Sequence, residues 1–337
     1  MAIHSVPRPF EGEGGDSRRF RTQVLLSRHV RLANACAAGL IALLLVSASA
    51  CTAAGTGARA GARPHSPAAI HTDALGRRVE VPRRPERIVS LAPSVTEVLY
   101  MLDAGDRLVG VTSSCDWPED ARRKPKIGSL LHFNYEAILA ARPDLVIAST
   151  AGNDRDAVFK LADFGIPVYV TAPRSVATIF DTVRRIGHVL GCPERADRLA
   201  AQASGRLEEI RRRLAGLPPL RAFFITWFDP LLAPGKRTFE TDVLRQANVL
   251  SISGEIDEYY PRYSLEQVLA QDPDVILTVR HEGRPFPDLK RLPGWQRLRA
   301  VESGRVYILS EVLQHPSPRF VEGVEELAKK LYPERFP

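Results

Sequence analysis

The stretch Asn134–Ala148, Asn-Tyr-Glu-Ala-Ile-Leu-Ala-Ala-Arg-Pro-Asp-Leu-Val-Ile-Ala, returns as Ser264–Thr278, Ser-Leu-Glu-Gln-Val-Leu-Ala-Gln-Asp-Pro-Asp-Val-Ile-Leu-Thr. Glu136 and Glu266, Leu139 and Leu269, Ala140 and Ala270, Pro143 and Pro273, and Asp144 and Asp274 are identical in register. Each copy reads as a short helix, a turn broken by Pro, and a continuous apolar strand. One copy would be an ordinary helix-to-strand unit. Two copies a domain-length apart predict two lobes built on one plan.

The rest of the chain fits that expectation. Val79 and Val81 alternate with charged residues as in an edge strand, and Ile88–Leu91 reads as a buried strand. Ser94 and Glu97 have capping-box spacing, which predicts a helix starting at Ser94. Strands are expected at 108–112, 145–148 and 168–170, a loop at 113–128, and helices at 135–141, 154–164 and 176–190. After Pro218-Pro219 the plan restarts, with strands at 223–227 and 306–309 and helices at 241–247 and 319–331. Alternation of this kind predicts parallel sheets covered on both faces. Between the halves, the Pro-free run Glu194–Leu214 would span about 30 Å as a helix, a length suited to a rigid strut. The predicted fold is α/β, with two doubly wound lobes joined by a single long helix. Its divisions are a signal peptide at 1–50, a tether at 51–69, lobes at 70–192 and 217–337, and the helix at 193–216.

The chain of 337 residues has a formal charge of +7, which invites a nucleic-acid or membrane-surface reading. Much of that excess sits in the leader, at Arg8, Arg18, Arg19, Arg21, Arg28 and Arg31. Arg211, Arg212 and Arg213 follow Glu208 and Glu209 and read as a solvated helix face with paired charges, so no nucleic-acid partner is expected. The basic leader precedes an apolar centre at 37–46 and ends in Ala48-Ser49-Ala50-Cys51, an export signal. Cys51 also resembles a lipobox cysteine, a lipid-attachment site for a protein periplasmic or anchored to the membrane. The long basic region leaves room for a start downstream of Met1. Cys51–Pro67, rich in Ala, Gly, Thr, Ser and Pro, reads as a tether. Cys115 and Cys192 are expected to be free, and no Cys-x-x-Cys pair exists for a zinc ribbon or redox dithiol.

Signals for catalysis are thin. Gly235-Lys236-Arg237-Thr238 fails as a phosphate loop, because Pro230 stands where Gly is required and Arg237 separates Lys from Thr. His132, His281 and His315, with Asp116 or Glu282, lack diagnostic metal spacing and read as exposed loop residues. No enzyme, metal or cofactor is expected. The loops after the strands say more. They carry Ser114-Cys115-Asp116-Trp117, Leu130-Leu131-His132-Phe133, Trp227-Phe228 and Tyr259-Tyr260-Pro261-Arg262, with Glu311 and Arg319 near the end. Only 7% of the chain is aromatic, so aromatic clusters in three strand-end loops point to a pocket for a flat or amphipathic ligand.

Pro85–Glu97, Leu108-Val109-Gly110-Val111-Thr112, Cys115-Asp116-Trp117-Pro118, Lys124–Gly128 and Ser317-Pro318-Arg319 resemble the helical-backbone substrate-binding proteins of ABC importers. That family takes up cobalamin, haem and iron siderophores, and these motifs are most similar to cobalamin-binding members. The resemblance implies a monomeric carrier whose ligand is a cobalt corrinoid or an iron chelate. It implies a ligand site of Pro93, Ser94, Ser114, Asp116, Trp117, Leu130, Trp227, Phe228, Tyr260, Arg262, Glu311 and Arg319. It further implies that Glu136 and Glu266, one per lobe, dock onto arginines of the permease dimer. At Ser114, Leu130, Ser149 and Thr226 the chain departs from the aromatics of the best-known cobalamin binder. Trp117, Trp227 and Phe228 lie near enough in sequence to compensate. A siderophore or haem binder is the alternative within the family, and Arg262, Arg280 and Arg319 are the cations it would use. A nitrogenase-like enzyme would want more cluster-ligating cysteines than Cys115 and Cys192. A surface adhesion or sensor protein is a third class.

Overall fold

The computed structural model describes residues 68–280 and 285–337. The signal peptide, Cys51, most of the tether, His281 and Glu282 lie outside the described residues. An antiparallel hairpin comes first, β1 (Ala68–Thr72) with β2 (Arg78–Pro82). Strand β1 starts inside the segment read as tether. Its first residues are two alanines, which carry no alternation, yet they pair with Pro82 and Val81.

Two four-stranded parallel sheets follow. The first is ordered β4-β3-β5-β6, from β3 (Ile88–Ser90), β4 (Leu108–Val111), β5 (Leu145–Ser149) and β6 (Val168–Thr171). The second is ordered β10-β9-β7-β8, from β7 (Leu220–Ile225), β8 (Val249–Ser251), β9 (Val275–Val279) and β10 (Val306–Leu309). In each, the lobe's first strand is flanked by its second and third, with the fourth outermost. The two lobes therefore share one topology. In both, the chain reverses direction across the sheet between the first and third strands, and ligands of open α/β sheets bind beyond the strand ends at that point.

The helices are α1 (Pro93–Met101), α2 (Glu119–Arg123), α3 (Tyr135–Ala140), α4 (Arg155–Asp163), α5 (Val176–Leu190), α6 (Pro193–Leu214), α7 (Phe239–Gln246), α8 (Leu265–Gln271), α9 (Arg299–Glu302) and α10 (Phe320–Leu331). Helix α2 falls inside the segment expected as a loop, and β8 was not expected. Helix α1 corrects the capping-box reading. Pro93 occupies the first turn, Ala92 is the N-cap, and no side chain caps the helix. Glu97 is thereby free for another use.

The repeated stretch is repeated in three dimensions. Arg142 and Asp272, before the two prolines, both adopt left-handed backbone, with φ of 44° and 38°. Asp144 accepts hydrogen bonds from the backbone N–H groups of Glu86 and Arg87 at 2.8 and 2.9 Å, and Asp274 accepts one from Arg221 at 2.8 Å. Arg87 and Arg221 donate in turn to the carbonyls of Ala141 and Gln271. The identical Pro-Asp thus ends a helix and clamps the entry of the lobe's first strand.

Helix α6 crosses between the lobes with one face buried. Ala196 joins the first lobe's core, and Ala200, Ala203, Leu207, Ile210 and Leu214 join the second. It is a packing helix as much as a strut. Helix α5 lies against it and does the same in reverse, with Val176, Ile179 and Phe180 in the second core and Val183, Ile186 and Val189 in the first. Gly187 allows the close approach, since a Cβ there would overlap Ala196. In the second lobe, successive residues Phe223 and Phe224 point to opposite faces of the sheet and into separate cores. The arginine patch is paired as expected, Arg211 with Glu208 and both Arg212 and Arg213 with Glu209.

Candidate functional site: the strand-end face of two lobes

Helix α1 is buried from Ser94 to Leu99, and in its middle stands Glu97, a carboxylate with a side chain only 2% exposed. Its partners come from the other lobe, in the loop between β10 and α10. Arg319 donates at 2.9 Å, His315 Nδ1 lies at 2.8 Å, and the Ser317 hydroxyl donates to the second oxygen. The Arg319 guanidinium also lies 4.1 Å from the ring centroid of Trp117 and 3.5 Å from Glu322. Three donors from one lobe therefore meet one acid of the other. Burial alone would lower the His315 pKa. The hydrogen bond and charge of Glu97, followed by the charge of Glu311, outweigh it and leave the imidazole raised above its ordinary 6.5. His315 is thus no exposed loop histidine, whereas His132 is exposed.

The loop bearing Trp117 is anchored from beneath. Cys115 is free and buried, with its sulfur 3.1 Å from the hydroxyls of both Thr96 and Thr112. Lys126 donates to the carbonyls of Cys115 and Ala121. Burial pushes the Cys115 thiol up, so the sulfur holds the loop rather than reacting. Asn153, also buried, donates to the carbonyls of Leu91 and Leu130 and accepts from the Ser149 backbone. It knits the strand ends of β3 and β5 to the segment that carries Leu130.

The second lobe supplies the large cavity, ≈980 Å³. Its walls are the ends of β7 and β9 (Ile225, Thr226, Thr278, Val279), with Trp227, Phe228, Phe286 and Arg280. That is the sheet's point of reversal, where an open α/β fold binds ligands. Phe228 rests on Phe286 and Trp295, with ring centroids 5.8 and 5.5 Å apart. The Thr226 hydroxyl is buried without a hydrogen-bond partner. Beside the cavity, the loop after β8 is laced to the loop after β7. Leu232 bridges both Trp227 and Arg262, and Gly235 N–H donates to Tyr259 O at 2.8 Å. Tyr260 is 42% exposed as a residue, yet its hydroxyl turns inward and donates to Glu240 at 2.9 Å.

The sequence matches the family model described as "Periplasmic binding protein" over residues 88–313. The chain belongs to that family. It is 30% identical to an uncharacterised ABC transporter substrate-binding lipoprotein, YvrC, of Bacillus subtilis, over 78% of this chain and 85% of that one. Among solved structures, the periplasmic vitamin B12 binding protein BtuF of Vibrio cholerae is 30% identical, with a TM-score of 0.65, over 73% of this chain and 96% of that one. The periplasmic heme-binding protein RhuT of Roseiflexus is 26% identical, with a TM-score of 0.66, over 74% and 99%.

The residues expected at the ligand site of this periplasmic binding protein fall into groups. Trp227 and Phe228 line the large cavity. Trp117 and Arg319 meet across the lobes. Tyr260 stands apart on Glu240, and Arg262 is exposed in the same laced loop. Pro93 and Ser94 lie in the first turn of α1, with Ser94 buried. Asp116 lies 3.8 Å from Arg122, and Ser114 is exposed. Leu130 packs against the first core. Glu311 is half-buried beside His315. The structure therefore does not gather the twelve into one cavity. Glu97, Asn153 and Glu240 were missed. A signal existed for Glu97, a lone charge in the apolar run Val95–Leu102. Among the described residues, no three His, Cys, Asp or Glu side chains come together to hold a metal ion.

Glu136 and Glu266 are both exposed in the first turns of α3 and α8, after N-caps Asn134 and Ser264. Each helix turns back into the strand that follows it, which puts its N-terminus near that strand's carboxyl end.

Proposed function

We propose that the chain is the extracytoplasmic substrate-binding protein of an ABC importer. It captures a flat metal chelate, a cobalamin or related corrinoid, and delivers it to the membrane permease. It is a carrier and not an enzyme. The observation that carries the choice of ligand is the state of Arg319. Its charge is met by Glu97 and Glu322, so it is not available to an anionic iron chelate. What the strand-end face offers is aromatic and aliphatic surface, from Trp117, Trp227, Phe228 and the Tyr260 ring. That surface suits the broad, largely uncharged flank of a macrocycle. The likeness to a vitamin B12 binding protein supports the same ligand.

A haem or ferric siderophore ligand is the second reading, favoured by Arg262 and Arg280, which carry no ion pair among the described residues. On either reading Glu136 and Glu266 engage arginines of the permease dimer, Cys51 carries the lipid anchor, and the carrier works as a monomer. The test is an absorbance spectrum of the purified protein after incubation with cobalamin, haemin or ferric siderophores and removal of free ligand. A retained corrinoid spectrum is expected. No chromophore retained from any of the three would refute the metal-chelate reading.

A further inference from the structure

Glu240 is an unusual residue to bury. It sits in the first turn of α7, is 4% exposed, and has one oxygen on the Tyr260 hydroxyl and the other without any partner. No cation stands among its hydrogen-bond partners. The platform around it is rigid. Thr238 and Thr241 donate to the Gly235 carbonyl at 2.9 and 2.8 Å, and Ser253 donates to the Pro234 carbonyl at 2.8 Å. Gly235 lies so close under the loop that a Cβ would overlap Glu258 O. The two threonine bonds brace the turn that enters α7, and the Ser253 bond ties to that turn the loop that carries Tyr260. An isolated buried carboxyl costs stability, so a stable fold is expected to keep one only where the group has a task.

The task visible in the geometry concerns which part of Tyr260 faces outward. A tyrosine at a metal-chelate site can serve in two ways. Its ring can pack on a flat ligand, or its oxygen, as phenolate, can bind the metal. Here the hydroxyl is directed into the lobe onto Glu240 while the residue as a whole stays exposed at the surface. We infer that Glu240 is a specificity-determining positioning residue, which takes the Tyr260 hydroxyl inward so that the ring presents a packing face and its oxygen is withheld from a bound metal. The inference rests on the reading that Tyr260 contacts the ligand. It selects chelates bound by their flat faces and apolar edges over ferric chelates that need a phenolate.

The consequence can be read with two ligands. In Glu240→Ala the hydroxyl loses its acceptor and the ring is free to swing outward. Cobalamin affinity falls roughly five- to tenfold, the scale of one aromatic packing contact. Haemin gains affinity and acquires the phenolate-to-iron charge-transfer band that the unaltered protein lacks. Tyr260→Phe placed on Glu240→Ala removes that band. Glu240→Gln, whose amide oxygen accepts the same hydrogen bond, restores cobalamin affinity and shows no band. Glu240→Met, which fills the space without an acceptor, replaces the alanine variant if the lobe does not fold with a cavity.

Ligand-free crystal structures separate this inference from the ligand assignment. The Tyr260 ring should turn outward in Glu240→Ala or Glu240→Met and stay in place in Glu240→Gln. If no variant binds a corrinoid but the ring turns as described, the ligand assignment fails and the positioning role stands. If the ring stays in place in the alanine and methionine variants, or their cobalamin affinity and haemin spectrum match the unaltered protein, the inference is overturned.

Discussion

Replacing Glu97 with Ala removes the acid on which one lobe holds Arg319, His315 and Ser317 of the other. The stranded guanidinium keeps Glu322 at 3.5 Å and the Trp117 face at 4.1 Å. Its side chain is only 14% exposed, and its Nε already lacks a partner. Breaking a buried ion pair by removing one partner costs about 3–5 kcal/mol. The remaining contacts place Glu97→Ala at the lower end, about 3 kcal/mol, equivalent to a fall in Tm of roughly 4–6 °C for a chain of this size. Urea unfolding followed by tryptophan fluorescence measures it, with the slope compared to guard against the lobes separating. Arg319→Ala should cost a similar amount, and the double variant much less than the sum.

The same cluster has a pH signature. His315 is raised in the folded state, so its contribution is fully present below the unfolded value of 6.5. It is lost as pH rises through the raised folded value. Stability should therefore decline on the alkaline side of 6.5, and Glu97→Ala should remove that part of the slope. A loss below about 1 kcal/mol, or strict additivity with Arg319→Ala, would refute the view that this is one coupled interlobe cluster.

Reversing charge at both Glu136 and Glu266, to Arg, should abolish uptake in cells while leaving solution affinity for the ligand within about twofold, since neither side chain lies in the cavity. Gly187→Val should cost about 1–3 kcal/mol by forcing α5 and α6 apart at Ala196, measured by thermal unfolding. Asp144→Ala should cost about 2 kcal/mol, because two backbone N–H groups at the entry of β3 lose a charged acceptor. Asp274→Ala, with one such bond, should cost about half of that.

What the sequence made legible is what is settled within a few residues. Pro143-Asp144 and Pro273-Asp274 end a helix and clamp a strand by local rules, so the repeat predicted the shared lobe plan. Helix α5 was expected at 176–190 and is found there, capped by Ser175 and Gly191. Where two local rules competed, the reading failed. Pro93 fits the first helical turn without a donor, and it displaced the capping box that Ser94 and Glu97 seemed to spell. Strand β8 is three residues long, with Leu250 exposed, too short to show a period. The interlobe cluster lay beyond reach for a different reason. Glu97 and its partners are more than two hundred residues apart, and only the shared topology brings the two strand-end faces together.

That topology gives the two missed glutamates a common position. Each sits on the helix that follows the first strand of its lobe's parallel sheet, α1 after β3 and α7 after β7, Glu97 holding three side chains of the strand-end face and Glu240 one. Their environments drive them to opposite solutions. Glu97 is met by a guanidinium and two further donors, so its charge is compensated where it stands. Glu240 is met by a phenol and by no cation among the described residues. Burial, against the pull of its own backbone N–H, Tyr260 and Thr238, pushes its carboxyl up to about 7. The first lobe thus spends its buried acid neutralising the arginine an anionic ligand would need. The second spends its own on turning a tyrosine oxygen away from the ligand. On the proposed reading both remove an ionic means of holding a metal chelate, which leaves the apolar faces of Trp117, Trp227, Phe228 and Tyr260, with Arg262 and Arg280, to bind one.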